Sequence, residues 1–112
     1  MDARPLKRVD LLRHELKALR FILDNLHSGK IDRASVPARK DFQSEQTRAL
    51  YDAIVSASDR AAAEKHIAGL ELDEVDLDSF LHLSGEHYYS YPALVRERAE
   101  AIRRGELKVE TV

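Results

Sequence analysis

The sequence predicts an all-α fold, a compact helical bundle of four to five helices led by a long N-terminal helix with a heptad seam. Three observations carry that expectation. Apolar residues recur at helical spacing along most of the chain. Only four glycines and three prolines interrupt 112 residues, and they fall at the edges of the periodic stretches. A composition of 44% hydrophobic and 34% charged residues suits amphipathic helices around one core. The length is that of one ordinary domain, large enough to fold without metal or disulfide. Residues 1–105 read as that single helical domain and 106–112 as a C-terminal tail.

The first helix is expected over 5–27. Val9, Leu12, Leu16, Leu19, Leu23 and Leu26 make the seam, and Leu11, Ala18, Phe21 and Ile22 widen it into the face of a globular bundle. Pro5 suits a first-turn position and Ser28-Gly29 a stop. Residues 28–43 read as a long connection in which only Ile31 and Val36 look apolar. Ser44 is a good N-cap for a second helix with Ala49, Leu50, Ala53, Ile54, Ala57 and Ala61 as its stripe. Ser58 or Asp59 is placed to break it and cap a further helix through Ala68, so one bent helix or two remain open. A short helix after Asp73 runs to about Leu83, with Val75, Leu77, Phe80, Leu81 and Leu83 as core candidates. Gly85 ends it. Pro92 opens the last helix, 92–104, which buries Leu94, Val95, Ala99 and Ile102 and stops at Gly105. Alternation of Leu107, Val109 and Thr111 makes the tail a short strand or a disordered end.

Several chemistries are disfavoured. No cysteine is present, so disulfides and thiolates are excluded. No apolar run approaches the roughly 20 residues of a membrane span, and Met1-Asp2-Ala3-Arg4-Pro5 leads into a charged segment with no apolar signal core. The expected location is the cytoplasm. Lys65-His66-Ile67-Ala68-Gly69 before Val75 has the outline of a helix-turn-helix, but Lys65 stands where a small residue is needed. The helix that follows carries acids that a phosphate backbone repels. Asp78, His82 and Glu86 fall at i, i+4 and i+8 beside His87, a set from which metal ligation can be drawn, yet Gly85 interrupts the helix before Glu86. His14, His27 and His66 are isolated. The serines sit at caps and turns, and no nucleophile or phosphate-loop motif occurs. Neither an enzyme nor a cofactor is expected.

Charge is uneven: ten Lys/Arg against six Asp/Glu in residues 1–42, and eight against fourteen in 43–112. The acidic half carries the more coherent surface. Glu71, Asp73, Glu74, Asp76, Asp78 and Glu86 lie close in sequence to Tyr88, Tyr89 and Tyr91. Tyrosine offers large contact area at low entropic cost, and carboxylates hasten encounter with a basic partner. Asp78-Ser79-Phe80-Leu81-His82-Leu83, Glu86-His87 and Tyr88-Tyr89, followed by a final helix with Leu94, Val95 and Ile102, resemble the colicin-type nuclease immunity proteins. In that family an acidic helix and a tyrosine pair bind a basic nuclease. The likeness is one of surface chemistry: the loop between acidic helix and tyrosines and the Trp-Arg…Asn-Gly ending are missing, and the first 60 residues do not fit.

The expected function is therefore a small non-enzymatic regulator of the inhibitor, immunity, antitoxin or adaptor kind. It would dock a protein partner, a basic one by charge, through Glu71, Asp73, Glu74, Asp76, Asp78, Glu86, Tyr88, Tyr89 and Tyr91. The alternative is a nucleic-acid-associated regulator using the basic first helix (Arg4, Lys7, Arg8, Arg13, Lys17, Arg20) and the 28–43 loop. A metal-dependent enzyme is a second alternative. The heptad seam also suits homodimerisation through the first helix.

Overall fold

The heptad leucines locate the core. In a computed structural model that describes residues 3–83 and 88–110, helix α1 (Arg8–Asn25) buries Leu11, Leu12, Ala18, Leu19, Ile22 and Leu23, with Leu26 buried just beyond its end. Most of the seam is thus used within the chain. Val9, its first member, is 63% exposed, and Leu16 is half-buried. The chain turns away after α1 at Gly29, whose φ of +78° disfavours any side chain.

The all-α expectation needs a correction at the N-terminal end, and the tail takes the short strand, one of its two expected forms. Residues 4–7 do not start α1; they form a strand, β1 (Arg4–Lys7), so Pro5 is a strand residue and the helix begins at Arg8. Its partner is β2 (Leu107–Glu110), in parallel, with Arg4 beside Leu107 and Lys7 beside Glu110. The tail is therefore tied to the helical body. Gly105, at φ +77°, reverses the chain so that β2 can return along β1. The protein is mostly helical with a short two-stranded parallel sheet.

The connection from 28 to 43 is folded down and contains two 3-10 turns, Arg33–Ser35 and Arg39–Asp41. Val36, Pro37 and Phe42 are buried. The Asp41 carboxylate accepts the Ala38 N–H at 3.0 Å and pairs with Arg103 at 3.4 Å. Arg96 donates to the carbonyls of Ala34 and Val36 at 2.8 and 2.7 Å. The last helix thus supplies the donor for these two carbonyls.

The 44–68 stretch is two helices, α2 (Glu45–Val55) and α3 (Arg60–Ala68). Ser44 Oγ accepts the Gln46 N–H at 3.2 Å, and Asp59 accepts the Ala62 N–H at 2.8 Å, so each helix has its own cap. The break resets the helical phase: Ala63 and Ile67 face inward, while Ala61, expected in the stripe of α2, is exposed. Helix α4 (Leu77–His82) is shorter than expected. It buries Phe80, and Val75 is buried just before it, but Leu81 is 41% exposed and Leu77 and Leu83 are half-buried. Helix α5 (Tyr91–Arg103) carries Pro92 in its first turn and buries Val95 and Ala99, leaving Leu94 and Ile102 half-buried. Helix α1 lies at the centre, touching all four other helices and both strands. No helix among the described residues is long and apolar enough to cross a membrane.

Candidate partner-binding surface

The acidic stretch between Gly69 and α4 is held against the starts of α1 and α2 by side chains of Arg8, Ser44 and Gln46. Gln46 is the main anchor. Its Oε1 accepts the backbone N–H groups of Glu74 (2.7 Å) and Val75 (3.0 Å), and its amide nitrogen donates to Asp73. Glu74 takes a two-pronged bond from Arg8, at 2.7 and 3.2 Å, and accepts Ser44 Oγ at 3.1 Å. The Arg8 guanidinium holds its carboxyl below the usual glutamate range. Asp76 is the N-cap of α4. It accepts the hydroxyl of Ser79 at 2.8 Å and its N–H at 3.2 Å, and these bonds lower its pKa. Three of the predicted contact acids, Asp73, Glu74 and Asp76, are thus engaged in local bonds. Glu71 and Asp78 are exposed and have no ion-pair partner among the described residues.

The tyrosines divide in the same way. Tyr88 and Tyr91 are half-buried and meet edge to face with ring centroids 5.5 Å apart. Lys17 from α1 lies over both rings, 5.4 Å from each centroid. His14 stands 5.6 Å from Tyr91, and Arg98 donates to its Nδ1. Burial, together with Arg98, Lys17 and Arg13, pushes the His14 imidazole below its ordinary value, which matches a neutral ring accepting from a guanidinium. Lys17 adds a cationic contact to both phenols, which the sequence reading missed because it lies far from them in the chain. Tyr89 is different: its residue is 76% exposed. It borders an open groove of about 440 Å³ whose lining includes Phe21, Ile31, Pro92, Ala93 and Arg96. Glu86 and His87 lie outside the described residues.

The other candidate chemistries separate along similar lines. His82 Nδ1 contacts the Asp78 carbonyl oxygen at 2.6 Å, not its carboxylate. Among the described residues no group of three or more His, Asp or Glu is placed to hold a metal ion. His27 bonds the Ile54 carbonyl at 2.8 Å, and His66 is exposed. In the basic half, Arg8 pairs with Glu74, Arg13 with Asp10, Arg20 with Asp24 and Arg39 with Asp52, so much of its positive charge is already matched.

One buried group was not foreseen. Glu15, within the heptad face, is 1% exposed. Its carboxylate accepts the Gln43 N–H at 3.0 Å and lies 2.7 Å from Thr47 Oγ1, which is itself 3.0 Å from the Ser44 carbonyl. Burial pushes its pKa up to about 7, against the pull of those bonds and of nearby Arg48 and Arg8. Glu15 faces the start of α2 from inside, while Glu74 faces it from outside.

Compared with protein-family models, with curated proteins and with solved structures, the chain has no significant match.

Proposed function

We propose that this chain is a non-enzymatic regulator that binds a basic protein partner through the acid-and-tyrosine surface of residues 71–78 and 88–91. The observation that carries the reading is one of charge and exposure together. Between Lys65 and Arg96 the chain has no lysine or arginine, while Glu71, Asp73, Glu74, Asp76 and Asp78 are all exposed there and Tyr89 stands out at 76% exposure. An exposed aromatic ring at the edge of a groove suits the anchor role that such rings play in interfaces. The exposed carboxylates of residues 71–78 add long-range attraction for a cationic surface and repel acidic ones. We read the scaffold as a bundle of five helices, in which α4 and α5 present this surface. Glu71, Asp78 and Tyr89 are the contact residues. Glu74, Asp76, Tyr88 and Tyr91 hold the surface in shape.

Affinity capture from native extract, followed by binding measurements on the purified pair, tests the proposal. Tyr89→Ala is expected to weaken the partner complex by at least about tenfold, a loss of roughly 1.4 kcal/mol, with the fold intact. Glu71→Lys and Asp78→Lys are expected to slow association and to flatten its dependence on salt. Unchanged affinity in all three variants would place the interface elsewhere.

A further inference from the structure

The two-stranded sheet is the least self-sufficient part of the molecule. Isolated two-stranded ribbons are marginal in water, and parallel strands are ordinarily enclosed by further strands and helices. Here β1 is exposed at three of its four residues, and β2 alternates half-buried with exposed. Each strand also has an outer edge, and the two edges are not equivalent.

The Arg4 N–H donates to the Glu106 carbonyl at 3.0 Å. Backbone polar groups alternate sides along a strand, so Arg4 and Leu6 aim theirs at β2, and Pro5 and Lys7 aim theirs outward. Proline has no N–H. The outer edge of β1 is therefore closed by Pro5, between the charges of Arg4 and Lys7, in the way sheet edges are protected from further pairing. On β2 the register turns Lys108 and Glu110 toward β1 and leaves the N–H and C=O of Leu107 and Val109 on the outer edge. Among the described residues nothing bonds these groups. The edge borders an open hollow of about 480 Å³ whose lining includes Gln43, Ile102, Leu107 and Val109.

We infer that this edge pairs with the same edge of a second copy of the chain, antiparallel about a two-fold axis at Val109, to make a four-stranded sheet. Three registers bring the outward-facing residues opposite one another. An axis at Leu107 would require Gly105 to continue the strand, but Gly105 is at φ +77° and leaves the extended conformation. An axis at Lys108 sets the two Lys108 side chains directly opposite each other, a destabilising like-charge pair. An axis at Val109 sets Lys108 opposite Glu110 of the second copy, twice by symmetry, on the solvent face, where both residues are exposed. The half-buried side chain of Val109 then meets its own counterpart on the opposite face. The charge pattern of β2 is complementary to itself in that register alone, which is why the occupant is a second copy.

The test is sedimentation of the full chain from micromolar to near-millimolar concentration, with charge variants at exposed positions that leave the core untouched. The wild-type chain is expected to dimerise. Lys108→Glu and Glu110→Lys are each expected to weaken the dimer at least roughly tenfold. An equimolar mixture of the two variants restores it as a heterodimer, and so does the double variant K108E/E110K alone. Val109→Pro, which removes an outward N–H not used by β1, abolishes the dimer. A wild-type chain that stays monomeric throughout overturns the inference, as does a dimer insensitive to both charge reversals.

Discussion

Phe42→Ala is expected to cost about 3–5 kcal/mol of folding stability, the range for deleting a fully buried aromatic side chain. Phe42 is 0% exposed, and its ring centroid lies 5.2 Å from that of Tyr51. It follows directly on the 3-10 turn at Arg39–Asp41, and its carbonyl accepts Arg48 Nε at 2.8 Å. The side chain therefore fastens the whole connection between α1 and α2 to the core. Removing it leaves a cavity that the surrounding helices close only in part. Natural domains hold only about 5–15 kcal/mol in reserve, so the loss is a large fraction of the total. Urea denaturation is the measurement. The midpoint falls with little change in slope if the variant folds in two-state fashion. A loss below about 1 kcal/mol would show that the connection is not fastened to the core through this ring.

Glu15→Gln is expected to stabilise the protein above neutral pH by about 3 kcal/mol and to leave it nearly unchanged below the ordinary carboxyl value of 4.5. The folded-state pKa of Glu15 is about 7, against an ordinary value of 4.5. Below the ordinary value both folded and unfolded chains hold the proton, and Glu15 contributes nothing to pH dependence. Between the two values the folded chain keeps the proton and the unfolded chain has lost it, so stability falls as pH rises. Above the folded value the buried carboxylate is ionised in both states, and the destabilisation is complete. The geometry accommodates the neutral form. Thr47 Oγ1 lies within reach of both Glu15 and the Ser44 carbonyl, and a hydroxyl has one proton to give. A protonated Glu15, or the side-chain amide that Glu15→Gln puts in its place, donates to Thr47 and frees the hydroxyl proton for Ser44. Parallel melts of the two proteins across this range are the check. Indistinguishable pH profiles would show that Glu15 is not held in its neutral form.

What could be read from the sequence was local. The Leu12, Leu19, Leu23 and Leu26 seam, the caps at Ser44 and Asp59 and the stop at Gly105 each rest on spacing or on one residue's conformational habit. What escaped depends on partners distant in sequence. Four residues, Arg4–Lys7, are too few to carry a periodic signal, and their partner strand lies at the other end of the chain. Pro5 is at home in a first helical turn or on a sheet edge, and only the position of β2 decides between them. Phe42 stands alone after a polar run, so no stripe announced it. Glu15 looks like an ordinary charged helix residue until Gln43 and Thr47 are brought over it. The acids and tyrosines of the candidate surface were legible as a cluster. Their duties were not: Arg8 claims Glu74, and Lys17 claims Tyr88 and Tyr91, across the fold.

The pairing of β1 with β2 also orders the folding process. The strands sit roughly a hundred residues apart, and joining them directly from an open chain would cost on the order of 4 kcal/mol in closure entropy. Docking of α5 on α1 removes nearly all of that cost beforehand, because these helices adjoin the strands. The sheet is thus a late clasp set by the helices. A ribosome delivers the first strand long before its ladder partner exists, so Leu6 and its neighbouring amides stay hydrated until synthesis has passed Glu110.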